Sequence, residues 1–239
     1  MSQHKITLTK LSVLFLFSIF LSFVHPAFGW DDETHLAIAK ASGYSKWCYA
    51  VGPDITRVKA GKIESFNHFF DNNNKVEVAP KTVFEQAERY NDPEDEEGHL
   101  YGAILASLRE FAKHLEEKDA EYLFAFCAHY IGDLSAPLHN VPYDDFNKAH
   151  HAENDGAAGK DVLDQLGKIK KHMYRVDLRQ DHFEEDLAKE IAKIANKARL
   201  LGYRLKEENR DLTKEEAYIQ LGQSASLLRA VLKHFGRTR

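Results

Sequence analysis

HYIGDLSAPLH, residues 129–139, is the stretch on which the reading of this chain turns. His129 and Asp133 are four residues apart, so on a helix they share one face and can point at one ion. Pro137 lacks an amide hydrogen and disfavours helix at the residue before it, so the helix must end there. His139 then projects from a different direction than the helical pair. A His-x-x-x-Asp pair alone is more often a surface hydrogen bond than a metal site. The third histidine, just past a helix-ending proline, moves the reading towards metal: two ligands for one ion and a third turned to a neighbour.

Other residues extend the pattern. His151 and Asp155 repeat the four-residue spacing, and with His139 they offer a second set of ligands. His150 and Glu153, three apart, offer a competing helical register. His35 stands five residues after Trp30, and Asp54 and His68 lie in turn-rich sequence. Taken singly, each of these three is more often an ordinary capping or packing residue. Glu33 suits a helix N-terminus, with contact to a cationic head group as the sharper alternative. His99, His114, His172, His182 and His234 read as exposed or packing residues, and Phe69, Phe70 and Tyr130 as core.

Residues 1–29 read as a secretory signal rather than as part of the fold. Lys5 and Lys10 precede an uncharged run from Leu11 to Val24, and Ala27-Phe28-Gly29 puts small residues where a signal peptidase inspects them. Cleavage there exposes Trp30, implies a secreted or periplasmic protein, and takes the formal charge from −5 to −7. Such an acidic chain is poorly prepared to bind polyphosphate through counterion release alone. In an oxidising compartment Cys48 and Cys127 form one disulfide or stay as two buried thiols.

From Trp30 onward the pattern is helical throughout. Helices are expected over Trp30–Ser42, Pro80–Tyr90, Leu100–Leu115, Tyr122–Asp133, Val162–Met173, Phe183–Leu205 and Lys214–Phe235. The Leu100 and Tyr122 helices should pair antiparallel across a turn near Asp119, and Thr213-x-x-Glu216 is a capping box. Asn91–Gly98 is an acidic connector, and Gly52-Pro53 places Asp54 on a turn. No alternating strand pattern and no repeat is present. The expectation is one all-α domain over residues 30–239, a single-domain multi-helix bundle in which the last two helices are scaffold.

The chain resembles the zinc-dependent phospholipase C superfamily, which also contains single-strand nucleases. The resemblance rests on His129-Tyr-x-Gly-Asp133 followed by x-x-x-Pro137-x-His139, on Gly52-Pro-Asp54, on Asn67-His-Phe-Phe-Asp71 and on the His151/Asp155 pair. It implies a buried tri-zinc cluster. Asp54, His68, His129 and Asp133 would hold one Zn2+. The amine and carbonyl of Trp30, with His35 and a bridging Asp133, would hold a second. His139, His151 and Asp155 would hold the third. Asp54 is also a candidate to orient or deprotonate the attacking water.

The function expected on this basis is hydrolysis of a phosphate ester. A phospholipase C acting on a glycerophospholipid, with transient contact to a membrane surface, comes first. A nuclease or nucleotidase acting on single-stranded nucleic acid with the same metals is the alternative, and a catalytically idle, metal-stabilised helical domain is the third reading. After the signature the chain has Asn140-Val-Pro142 where the family usually has Pro or Ala, any residue, then Asn. No obligate protein partner is indicated.

Overall fold

Helix boundaries follow chemical signals in the chain. The computed structural model describes residues 30–73, 75–117 and 120–237. Among these are ten α-helices and no β-strand. They are α1 (Asp32–Ser42), α2 (Gly52–Ala60), α3 (Lys62–Ser65), α4 (Pro80–Ala87), α5 (Leu100–Lys113), α6 (Ala120–Leu134), α7 (Asp145–Asp155), α8 (Leu166–Lys171), α9 (Phe183–Glu208) and α10 (Lys214–His234). The expected signal segment 1–29 and the expected turn at Asp119 lie outside the described residues. No helix among the described residues is long and apolar enough to cross a membrane.

Helix α1 ends at Gly43, whose φ of 94° is the left-handed conformation that glycine adopts without steric cost. Pro80 opens α4, where its missing amide hydrogen is not needed. The capping box of α10 is formed: Thr213 Oγ1 accepts from the Glu216 amide, and the Glu216 carboxylate accepts from the Thr213 amide. Two expectations change. Pro53 starts α2 instead of closing a turn, so Asp54 sits in the first turn of a helix. The helix expected over 162–173 divides into a 3₁₀ turn at Val162–Asp164 and α8, because Gln165 leaves helical geometry at φ −106° and ψ 24°. Burial of Val162 and Ile169 requires only their apolar spacing, which both arrangements supply.

Helices α5 and α6 form the most extensive pair, with α4 packed across α5. Their buried face includes Ile104, Leu108, Phe111, Phe124 and Ile131. Helix α10 packs against α1, α6 and α8, while α9 lies across α4 and the 3₁₀ turn Pro137–Asn140. At that crossing the backbones nearly touch: a β-carbon at Gly202 would sit 2.7 Å from the Pro137 carbonyl oxygen. The last two helices are thus scaffold for the segment that follows α6. Cys48 and Cys127 are both free, the first exposed and the second buried. Burial pushes the Cys127 thiol up, and it packs as a small apolar side chain.

Gln86 joins α4 to α5 by accepting from the amides of Tyr101 at 3.0 Å and Gly102 at 3.3 Å, two first-turn donors that have no partner within their own helix. A β-carbon at Gly102 would lie 2.1 Å from the Gln86 carbonyl carbon. Gly102→Ala should therefore destabilise by about 1–3 kcal/mol, more than the gain in helix propensity, and lower the thermal midpoint by roughly 2–4 °C per kcal/mol. Thermal denaturation followed by circular dichroism checks this. An unchanged or higher midpoint would show that α4 can retreat without loss.

Candidate metal centre

Helix α6 delivers His129 and Asp133 to the interior, both with no exposure to solvent. The helix stops at Leu134, and its end is satisfied by Asn140, whose amide donates to the Leu134 and Ala136 carbonyls at 3.1 and 2.8 Å. Asn140 is held in turn by the Tyr101 hydroxyl at 2.8 Å. The chain continues through the 3₁₀ turn Pro137–Asn140, and His139 returns towards Oδ1 of Asp133, whereas His129 lies nearer Oδ2.

Asp133 is the centre. Its Oδ2 lies 2.9 Å from His68 Nδ1 and 3.3 Å from His129 Nε2. Its Oδ1 lies 3.2 Å from His35 Nε2 and 3.9 Å from His139 Nδ1. Burial alone would raise this carboxyl, but the neighbouring His129 and His35 outweigh burial and hold it well below the usual carboxylate range. Burial likewise lowers His129, yet Asp54 and Asp133 override it and push the imidazole up to about 9. The cluster favours added positive charge.

The backbone dictates which ring nitrogens face inward. His129 Nδ1 donates to the Ala50 carbonyl at 2.7 Å, and His139 Nδ1 donates to the His68 carbonyl at 2.6 Å. A carbonyl oxygen only accepts, so in the neutral imidazoles the proton sits on Nδ1 and the lone pair on Nε2. His151 Nδ1 is fixed by Asn147 Oδ1 at 2.6 Å. The Asn147 amide cannot be reversed, because its Nδ2 donates to the Leu138 carbonyl at 2.8 Å. Nε2 of His139 and both ring nitrogens of His35 are buried and make no hydrogen bond. Ring nitrogens converging beside carboxylates fit metal cations, which would take the place of protons there, and His129, His139 and His151 are each oriented by an outer hydrogen bond. The nitrogen and oxygen donor set suits a divalent ion of the zinc type.

Three groups have ligand atoms close enough to share an ion: His35/Asp54/His129, His68/His129/Asp133 and His139/His151/Asp155. The first two share His129 and surround Asp133. In the third, His151 Nε2 lies 3.3 Å from Asp155 Oδ2, and the His139 and His151 rings stack at 5.1 Å. The competing register does not enter it: His150 turns away to Asp211, 2.6 Å distant, and Glu153 is exposed. Trp30 is buried against the same wall, its indole donating to the Gly132 carbonyl at 3.0 Å. The Asp31 amide reaches the Asp155 carbonyl at 3.4 Å, so the segment 30–31 runs between α6 and the end of α7. All nine residues singled out from the sequence therefore lie in one region.

Access is from the side of Asp54. Its side chain is 17 % exposed, and Oδ2 lies 3.6 Å from His129 Nε2. Burial would raise its carboxyl, but His129, His68 and His35 outweigh that and lower it. The Arg57 guanidinium stands 3.2 Å from Asp54 Oδ1 at this same edge.

Residues that sequence reasoning missed stand beside the candidate ligands: Asn147, Arg57 and Glu64. Glu64 is buried 3.4 Å from His68 Nε2. Glu64 and Asn147 each precede a histidine by four residues, a signal present in the sequence but shared by many ordinary helical pairs. His99, read as exposed or packing, is buried and bonded to Asn67 and Asp95. No family model matches the chain, and no curated protein or solved structure matches it.

Gly132 explains the glycine of HYIGD. A β-carbon there would lie 2.5 Å from His35 Nδ1, so the ring stacks on His129 at 3.7 Å only because residue 132 has no side chain. Gly132→Ala should displace His35 and reduce metal content near Asp133, leaving the His139/His151/Asp155 group occupied. Metal analysis by mass spectrometry on folded protein checks this. Full metal content in the variant would remove His35 from the site.

Proposed function

We propose that this protein is a secreted zinc-dependent phosphodiesterase of the phospholipase C type, cleaving a glycerophospholipid between the glycerol and phosphate groups. One observation carries the reading: side chains from four helices and two connecting segments converge around two buried carboxylates, with one edge open at Asp54. Stability alone does not call for such an arrangement, since burying carboxylates and imidazoles costs free energy. The resemblance of HYIGDLSAPLH to the zinc-dependent phospholipase C signature points to the same chemistry.

In this reading Asp54, His68, His129 and Asp133 hold one zinc. His35, Asp133 and the amine and carbonyl of Trp30 hold a second, and His139, His151 and Asp155 hold the third. Bound zinc lowers the pKa of water to give hydroxide near neutral pH and offsets charge on the phosphate oxygens. Asp54, on the open edge, orients the attacking water and can accept its proton. Arg57 beside it puts a permanent positive charge where a phosphate enters. The buried sides around Asp133 exclude solvent, which strengthens each of these electrostatic contacts. The acidic balance of the chain, −5 overall, favours a lipid over a polyanionic nucleic acid.

Protein beginning at Trp30 should hydrolyse a chromogenic phosphocholine ester, lose that activity to a zinc chelator and recover it on adding Zn2+. Single-stranded DNA assayed in parallel separates the substrates: cleavage of DNA but not of the ester would replace the lipase reading by the nuclease one. Failure on both at full zinc occupancy would leave a metal-stabilised domain without this activity.

Protein carrying one extra residue before Trp30 should hold one zinc fewer and lose most of its activity. Equal metal content in the two forms would exclude the Trp30 amine as a ligand. Asp54→Asn with its zinc retained and its activity intact would exclude Asp54 as an essential base.

A further inference from the structure

Three of the inward-facing histidines have their Nδ1 proton fixed by an oxygen and turn Nε2 to the cluster. His68 is reversed. Its Nδ1 is hydrogen-bonded to Asp133 Oδ2 at 2.9 Å and lies 3.2 Å from His129 Nε2. Its Nε2 is buried without a hydrogen bond and faces the Glu64 carboxylate across a charge contact of 3.4 Å. This reversal matters because His68 has an ordinary alternative. With its proton on Nδ1 it would simply donate to Asp133, a histidine–aspartate hydrogen bond that satisfies both groups and needs no cation. With the proton on Nε2, three lone-pair atoms (His68 Nδ1, His129 Nε2 and Asp133 Oδ2) meet within 2.9–3.3 Å of one another, and only a positive ion or an added proton satisfies them.

We propose that Glu64 is the positioning residue that makes the His68/His129/Asp133 group a metal site, by keeping the His68 proton on Nε2. The surroundings of Glu64 define it as an acceptor on both oxygens. The Tyr130 hydroxyl donates to Oε1 at 2.7 Å, and the Asn67 amide donates to Oε2 at 3.2 Å. The Asn67 amide is oriented by a chain that begins at the half-buried Asp95: Asp95 contacts His99 Nδ1 at 2.9 Å, and His99 Nε2 contacts Asn67 Oδ1 at 2.8 Å. Tyr130 stacks edge-on against the His68 ring at 5.5 Å and fixes its plane. Glu64 is 4 % exposed. A carboxylate is an expensive side chain to bury for packing alone, whereas a carboxylate behind a ligating imidazole orients the ring and makes it a stronger donor.

The inference rests on the metal reading of the site but not on its substrate. Full-length mature protein, wild type and Glu64→Gln, is titrated with Zn2+ against a chelator of known affinity, and imidazole 15N shifts of the metal-free protein report the His68 tautomer. The expected result is an Nε2-protonated His68 in the wild type, with one ion bound about 10–100-fold more weakly in Glu64→Gln and the ion at His139/His151/Asp155 unchanged. Tyr130→Phe removes a donor to Glu64 while keeping the ring against His68 and the Glu64 carboxylate facing it, and should weaken zinc binding less than Glu64→Gln does. Three outcomes overturn the proposal with the metal reading intact: wild-type affinity in Glu64→Gln, an Nδ1-protonated His68 in the wild type, or an equal loss in Tyr130→Phe, which would mark general disruption of packing. A wild type that binds no zinc overturns both.

Discussion

A carboxylate with no exposure to solvent, near the C-terminal end of a helix, is in the worst electrostatic position a protein offers it. Burial removes its hydration, and the negative end of the helix dipole lies beside it. Asp133 occupies that position in α6. It is tolerable only because His35, His68, His129 and His139 are gathered around it, and those four come from α1, the segment before α4, α6 and the Pro137–Asn140 turn. Bringing such distant parts of the chain to one carboxylate is what the helices accomplish.

The packing that enforces this is apolar and dense. Helix α9 presses on the carbonyl of Pro137 through Gly202, and α10 reaches the end of α6 through Ser224, whose hydroxyl is 2.8 Å from that of Ser135. His35 stacks on His129 across a glycine. Three of the inward-facing histidines are then turned by an outer oxygen: the Ala50 carbonyl, the His68 carbonyl or the Asn147 amide. Two of these oxygens are main-chain carbonyls, so the orientation of His129 and His139 depends on backbone placement that no side-chain substitution removes directly.

The helical architecture was legible in the sequence because its signals are local. Apolar spacing, Gly43, Pro80, Pro137 and the Thr213/Glu216 box act within a few residues, and each holds in the structure. Where local signals are ambiguous the reading slipped. Gly-Pro suits a turn and a helix start equally, and Asp54, expected on a turn, lies on α2. The apolar spacing of 162–173 did not distinguish one helix from a 3₁₀ turn followed by a shorter helix. The nine candidate ligands were legible as residue types at suggestive spacings, since histidine and aspartate are scarce enough in a core to stand out.

The sequence by itself determined which elements form, where α6 must stop, and that His129 and Asp133 share a face, because these depend on dihedral preferences and helical periodicity. Only the tertiary structure decided between His150/Glu153 and His151/Asp155, by turning His150 to Asp211. It alone showed which nitrogen of each ring faces inward, that Asn147 holds His151 and that Gly132 makes room for His35. The physical reason is that a ring's orientation is fixed by partners up to 79 positions away along the chain, a separation across which periodicity carries no information.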